Sequence, residues 1–146
     1  MSTSADFKYL ETKIMTASKE ELTLITFDFL ILSATKALDK LHNAPRDIQG
    51  IHDELRRAQR AIAVLMGSLN FEIGGELALN LFRVYEFWHR QLVLANLQKD
   101  SERVERLLPF FKEYRYTWAE AQRCFRAEQV SSGQSATASG SFVAVG

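Results

Sequence analysis

Apolar residues recur at alternating steps of three and four in four separate segments of this chain, and that spacing restricts it to packed helices. The first segment carries Leu24, Phe27, Ile31, Ala34, Leu38 and Leu41, and the second Ile48, Ile51, Leu55, Ala58, Ile62, Leu65 and Leu69. The third has Ala78, Leu81, Tyr85, Trp88, Leu92 and Ala95, and the fourth Val104, Leu107, Phe111, Tyr114, Trp118, Ala121 and Phe125. None shows the strict alternation of a half-buried strand. The connections between the segments are short, so each rod has to run back along its predecessor. The expected fold is all-α, an antiparallel up-down-up-down four-helix bundle.

Local signals mark the ends of these helices. Ser18 with Glu21 three residues on is a capping box for the first, and Pro45 suits the first helical position of the second. The stretch Asn70 to Gly74 breaks the second helix from the third, and Asp100 or Ser101 can cap the fourth. Pro109 interrupts the fourth pattern: it lacks a backbone donor and crowds the carbonyl of Glu105, which predicts a kink, with a helix restart as the alternative. Residues 1–17 hold Phe7, Tyr9, Leu10, Ile14 and Met15, too apolar for a solvated tail, and are expected to pack on the bundle as a lid. The bundle itself is expected over 18–128. Residues 129–146 form a flexible tail in this reading: from Ser131 on it carries no charge and is mostly Ser, Gly, Ala and Thr, which buries too little to offset ordering.

Composition excludes several classes of function. Lys plus Arg and Asp plus Glu balance at 18 each, so the chain has no global field to hold nucleic acid. The most apolar window, Leu22 to Ala34, is too short to span a bilayer and contains Asp28. With no signal-peptide pattern and a single cysteine, Cys124, expected to be a small, partly buried hydrophobe, the chain is expected to be cytoplasmic. No catalytic set is legible either. A di-metal carboxylate site in a bundle needs two Glu-x-x-His pairs, and Glu86 with His89 has no converging counterpart; Glu86 is better paired with Arg90 four residues on. The basic residues Arg56, Arg57 and Arg60 have Asp53 and Glu54 near enough to neutralise them. No cofactor and no metal are expected.

What the pattern leaves over is apolar surface. Beside its core stripe the third segment carries Leu79, Phe82, Phe87, Val93, Leu94 and Leu97, and the first carries Leu22, Ile25, Phe29 and Leu32. A bundle helix buries one stripe, so a surplus on two helices means a wider core under a lid, a homodimer interface, or a groove for apolar helices of another chain. Periodicity alone leaves these alternatives open.

The segment Ile14-Met15-Thr16-Ala17-Ser18, with Glu21-Leu22 and Phe27-Asp28, resembles the opening of the FliS family of flagellar export chaperones. The resemblance continues through Leu69-Asn70, Glu72, Gly74-Gly75-Glu76, Asn80-Leu81, Tyr85, Arg90, Leu92, Ala95-Asn96 and Asp100, then Val104, Leu107-Leu108, Arg115 and Trp118. Lys19 stands where the family usually has proline, Phe27 and Phe87 where it has tyrosine, and Phe29 where it has glycine. The family resemblance implies a bundle that binds the disordered C-terminal segment of flagellin, blocks premature polymerisation, and helps present the subunit to the export gate. It also implies an N-terminal segment able to cover part of the binding surface, here Tyr9, Leu10 and Ile14.

On that reading the partner face comprises Leu22, Ile25 and Phe29, then Met66, Leu69 and Phe71 around the loop, then Leu79, Phe82, Val93 and Leu97, with Arg90 at a motif position. Asn70 and Asn96 are expected to cap and brace loops, and Tyr85 and Trp118 to be structural. The competing arrangement is a homo-oligomeric bundle whose surplus ridges meet their own copies.

Overall fold

A computed structural model of the chain describes the backbone over residues 19–139 and the side chains over 20–132. The described residues form four helices: α1 (Lys19–Asn43), α2 (Ile48–Gly67), α3 (Phe71–Gln98) and α4 (Ser101–Ser139). Each packs against its neighbour in the chain, and α4 closes the ring by lying along α1. Among the described residues the backbones of the two diagonal pairs do not approach closely, which gives the expected antiparallel four-helix bundle. The α3–α4 side is the loosest of the four.

The core is mostly the predicted one on α2 and α3, except that Ile48 is exposed at the start of α2 and Leu69 and Leu81 are only partly covered. Ile51, Leu55, Ala58, Ile62 and Leu65 of α2 meet Tyr85, Trp88, Leu92 and Ala95 of α3, and Val104, Leu107 and Phe111 complete it from α4. On α1 the buried set is Phe27, Leu30, Ala34 and Ala37, whereas the predicted Ile31, Leu38 and Leu41 are only partly covered. The cause is geometric: α1 packs on both α2 and α4, so its buried arc is centred between them. Small residues such as Ala34 and Ala37 let the backbones approach.

Three helix starts show how short polar side chains set the register. Asp47 caps α2: its side chain accepts from the Gly50 N–H at 3.0 Å, so the first helical residue is Ile48, and Pro45, expected at that position, stays in the preceding turn. Asp47 is also paired with Lys40 at 2.8 Å, which fixes the α1–α2 corner. Asp100 caps α4 by accepting from the N–H groups of Glu102 (3.1 Å) and Arg103 (3.4 Å). Asn70 caps α3 by accepting from Glu72 and Ile73 at 3.0 and 3.1 Å. The Gly-Gly break therefore falls inside α3: one turn forms first, and Gly75, at φ 53° and ψ −125°, redirects the chain into the long rod. The predicted cap residue Ser18 lies outside the described residues.

Helix α4 runs unbroken through Pro109, so it does not restart there. Pro109 is exposed. The carbonyl it leaves without an intrahelical donor can turn to water, which is the usual way a helix tolerates such a site. The side-chain amide of Gln122 donates to the Glu20 carbonyl, and Arg126 lies 3.3 Å from Glu21, so α4 reaches the start of α1 at this level. Beyond Arg126 α4 continues to Ser139, roughly 20 Å more at 1.5 Å per residue. Cys124, expected to be partly buried, is exposed. The lid residues Tyr9, Leu10 and Ile14 and the tail residues 140–146 lie outside the described residues.

Candidate functional site

The long rod of α3 divides as its two sets of apolar residues suggest. Ala78, Tyr85, Trp88, Leu92 and Ala95 are buried, while the second set stays at the surface: Leu97 is 77% exposed, Leu79 41%, and Phe87 is half exposed. Phe82, Val93 and Leu94 are partly covered. The surplus is thus not consumed by a wider core among the described residues. An aromatic chain locks the buried stripe in place, with Trp88 edge-on to Phe111 at 5.0 Å and to Tyr114 at 4.8 Å, and Tyr85 edge-on to Phe27 at 6.5 Å. Burial pushes the Tyr85 phenol up to about 12, even though the Trp118 indole N–H donates to it and pulls the other way. Tyr85 is therefore a neutral core group.

The other predicted partner residues separate by helix. Phe71 folds back edge-on to Phe82, with ring centroids 5.9 Å apart, so the short turn before Gly75 presents one aromatic pair. Met66, Leu69 and Phe29 are half-buried and pack against the core. Leu22 is half-buried, and Ile25 is buried at 6% exposure, which puts it inside α1's covered arc. Arg90 is exposed and pairs loosely with Glu86 at 3.7 Å.

Sequence reasoning missed a group at the same end of α3. Ile73 is 86% exposed and Leu77 66%, and Val64 near the end of α2 is also exposed. Ile73 and Leu77 flank the glycines and sat within or beside a presumed break, so they were not scored as a helix face. The available signal was their apolar character beside the glycines, since the non-helical Gly75 between them breaks any shared helix face.

The polar motif residues have structural partners. Asn96 Nδ2 lies 3.0 Å from His52 Nδ1 on α2, and Lys99 donates to the Asn96 carbonyl at 2.6 Å and to its side-chain oxygen at 2.5 Å. This braces the α3–α4 corner, where Lys99 itself adopts a left-handed conformation (φ 50°). Asp28 and Arg115, far apart in sequence, meet in a two-pronged pair: Arg115 Nε donates to Oδ1 at 2.8 Å and Nη2 to Oδ2 at 3.4 Å. That pair ties α1 to α4. On α2, Glu54 turns inward and lies 3.3 Å from Arg57, while Asp53 accepts from Gln49 at 2.8 Å. Among the described residues, no cluster of three or more His, Cys, Asp or Glu side chains is placed to hold a metal, and no helix is long and apolar enough to cross a membrane.

A filled helical core carrying uncovered apolar ridges defines a protein-binding bundle. The chain matches the family described as "Flagellar protein FliS" over residues 1–124, and it belongs to that family. It is 26% identical to the flagellar secretion chaperone FliS of Bacillus subtilis over 125 residues, covering 86% of this chain and 91% of that one. It is 29% identical to the FliS of Escherichia coli over 113 residues (77% and 82%) and 28% identical to that of Salmonella typhimurium over 110 residues (75% and 80%). Flagellar secretion chaperones are binding proteins, which accords with the absence of a legible catalytic set in the sequence.

Proposed function

We propose that this protein is a cytoplasmic chaperone that holds the C-terminal segment of flagellin, prevents its premature polymerisation, and assists its delivery to the flagellar export gate. The observation that carries the reading is the surplus on α3: Leu79 and Leu97 remain exposed although the stripe beneath them already fills the core. An uncovered ridge on a rigid rod suits an amphipathic helix that would otherwise self-associate. Phe71, edge-on to Phe82, extends the ridge toward the start of α3, and Ile73 and Leu77 are separate exposed apolar side chains near that end. Several modest contacts along one tethered ligand add through effective concentration.

Within this reading Leu22, Ile25, Phe29, Met66 and Leu69 support the ridge more than they touch cargo, since each is half or fully covered. Tyr9, Leu10 and Ile14 are proposed to compete with cargo as a lid. The experiment is co-purification of the full chain with intact flagellin and with flagellin truncated before its C-terminal segment. Loss of the truncated form is expected, and retention at the intact level would refute the reading. A stable dimer in light scattering that is indifferent to a flagellin peptide would instead favour self-association through the same ridges.

A further inference from the structure

The loosest side of the bundle, between α3 and α4, holds a groove of about 570 Å³ that shares no residue with the ridge assigned to cargo. Its apolar floor is Val84, Phe87, Trp88, Leu107, Phe110 and Tyr114. Phe87 and Phe110 stand about half exposed on opposite walls, so the floor is open to solvent.

The rim is one-signed. Arg83, Arg103 and Arg106 line the groove with Gln91, and no carboxylate does, although the whole chain carries equal numbers of acidic and basic residues. Arg103 closes one end: its Nη1 donates to Gln91 Oε1 at 2.6 Å, bridging α4 to α3, and its Nε lies 3.2 Å from Asp100. Arg106 has only a 3.7 Å contact with Glu102, both side chains largely in solvent, a pairing that contributes little. Arg83 makes no ion pair among the described residues. Two arginines are thus available to flank whatever fills the floor.

We infer that the α3–α4 groove docks a second protein partner through a short amphipathic helix whose apolar ridge enters between Phe87 and Phe110 and whose flanking carboxylates meet Arg83 and Arg106. The volume is in the range of well-formed ligand sites, about 300–1,000 Å³, and accommodates a few aliphatic or aromatic side chains. The guanidinium forks select carboxylates at the flanks and reject a basic helix of the same apolar ridge by like-charge repulsion. Because the cargo ridge lies on other faces, this partner and flagellin can be held at once.

The test uses the full chain and two dye-labelled synthetic peptides of about 14 residues, roughly four helical turns. Both carry leucines at i, i+3, i+4 and i+7; one has glutamates at the flanking positions and the other lysines. Fluorescence anisotropy is expected to show the glutamate peptide binding at least about tenfold tighter than the lysine peptide, with the difference shrinking as salt rises. In the double variant Arg83→Glu with Arg106→Glu the preference is expected to invert, and Phe110→Ser is expected to weaken the glutamate peptide about tenfold where Leu97→Ser leaves it unchanged. Saturating flagellin C-terminal peptide is expected not to displace the glutamate peptide. Equal affinity for both peptides, a preference that survives the double charge reversal, insensitivity to Phe110→Ser, or displacement by flagellin peptide would each overturn the assignment. So would displacement by a peptide of residues 1–18 at equimolar concentration, which would make the chain's own N-terminal segment the occupant.

Discussion

Two glycines separate a backbone requirement from a mere absence of side chain. Gly75 sits at φ 53° and ψ −125°, a region almost closed to residues with a Cβ, although no neighbouring atom would touch that Cβ. Gly75→Ala should therefore cost about 1–3 kcal/mol through strain alone. Gly67 closes α2 with open space around it and an ordinary backbone, so Gly67→Ala should raise stability by about 0.4–1 kcal/mol. Urea unfolding followed by circular dichroism checks both, and equal effects of the two substitutions would contradict the account. Tyr85 gives a pH signature at the same scale. Its folded value near 12 lies above the ordinary 10.0 because burial disfavours the phenolate. The fold thus stabilises the neutral form; that contribution is complete below pH 10 and is lost as pH rises from 10 toward 12. Absorbance titration of the folded protein should show tyrosine ionisation still incomplete well above pH 10, and completion of all tyrosine ionisation near pH 10 would contradict it.

The elements respond differently to the loss of an apolar side chain, according to which set it belongs to. Leu92 is fully buried on the α3 stripe, and Leu92→Ala should cost about 2–5 kcal/mol. Leu97, one and a half turns on and mostly in solvent, should change stability by less than about 0.5 kcal/mol when replaced by serine. Denaturant midpoints for the two variants test whether stripe and ridge are separate. That separation was legible from spacing, because a straight rod against two neighbours buries one arc, and α3 lies between α2 and α4. The α1 arc was legible only in part: Phe27 and Ala34 of the predicted stripe are buried, but Ile31 and Leu38 fit the period as well as Leu30 and Ala37, and only the placement of α4 against α1 decides between them. The caps at Asn70 and Asp100 were legible from residue type; at the α1–α2 corner the helix starts at Ile48 instead of the expected Pro45, because Asp47 caps it through its bond to the Gly50 N–H. The α3–α4 groove was invisible in sequence because its walls come from helices that meet only in the fold.

For the whole molecule, the proposed function has a bundle with a filled core offering its leftover apolar surface to cargo, and the first seventeen residues are proposed to compete for it. Deleting residues 1–17 should tighten binding of a flagellin C-terminal peptide, as expected when an internal competitor is removed; unchanged or weaker binding would remove the lid from the account. The family relationship fixes the kind of protein, a flagellar secretion chaperone, and the exposed ridge supplies a physical route for holding an amphipathic segment. The most direct test is calorimetric titration of a flagellin C-terminal peptide into the full chain and into the double variant Leu79→Ser with Leu97→Ser. The account predicts at least about tenfold weaker binding by the variant, roughly 1.4 kcal/mol, with its thermal midpoint unchanged. Equal dissociation constants for the two proteins would contradict it.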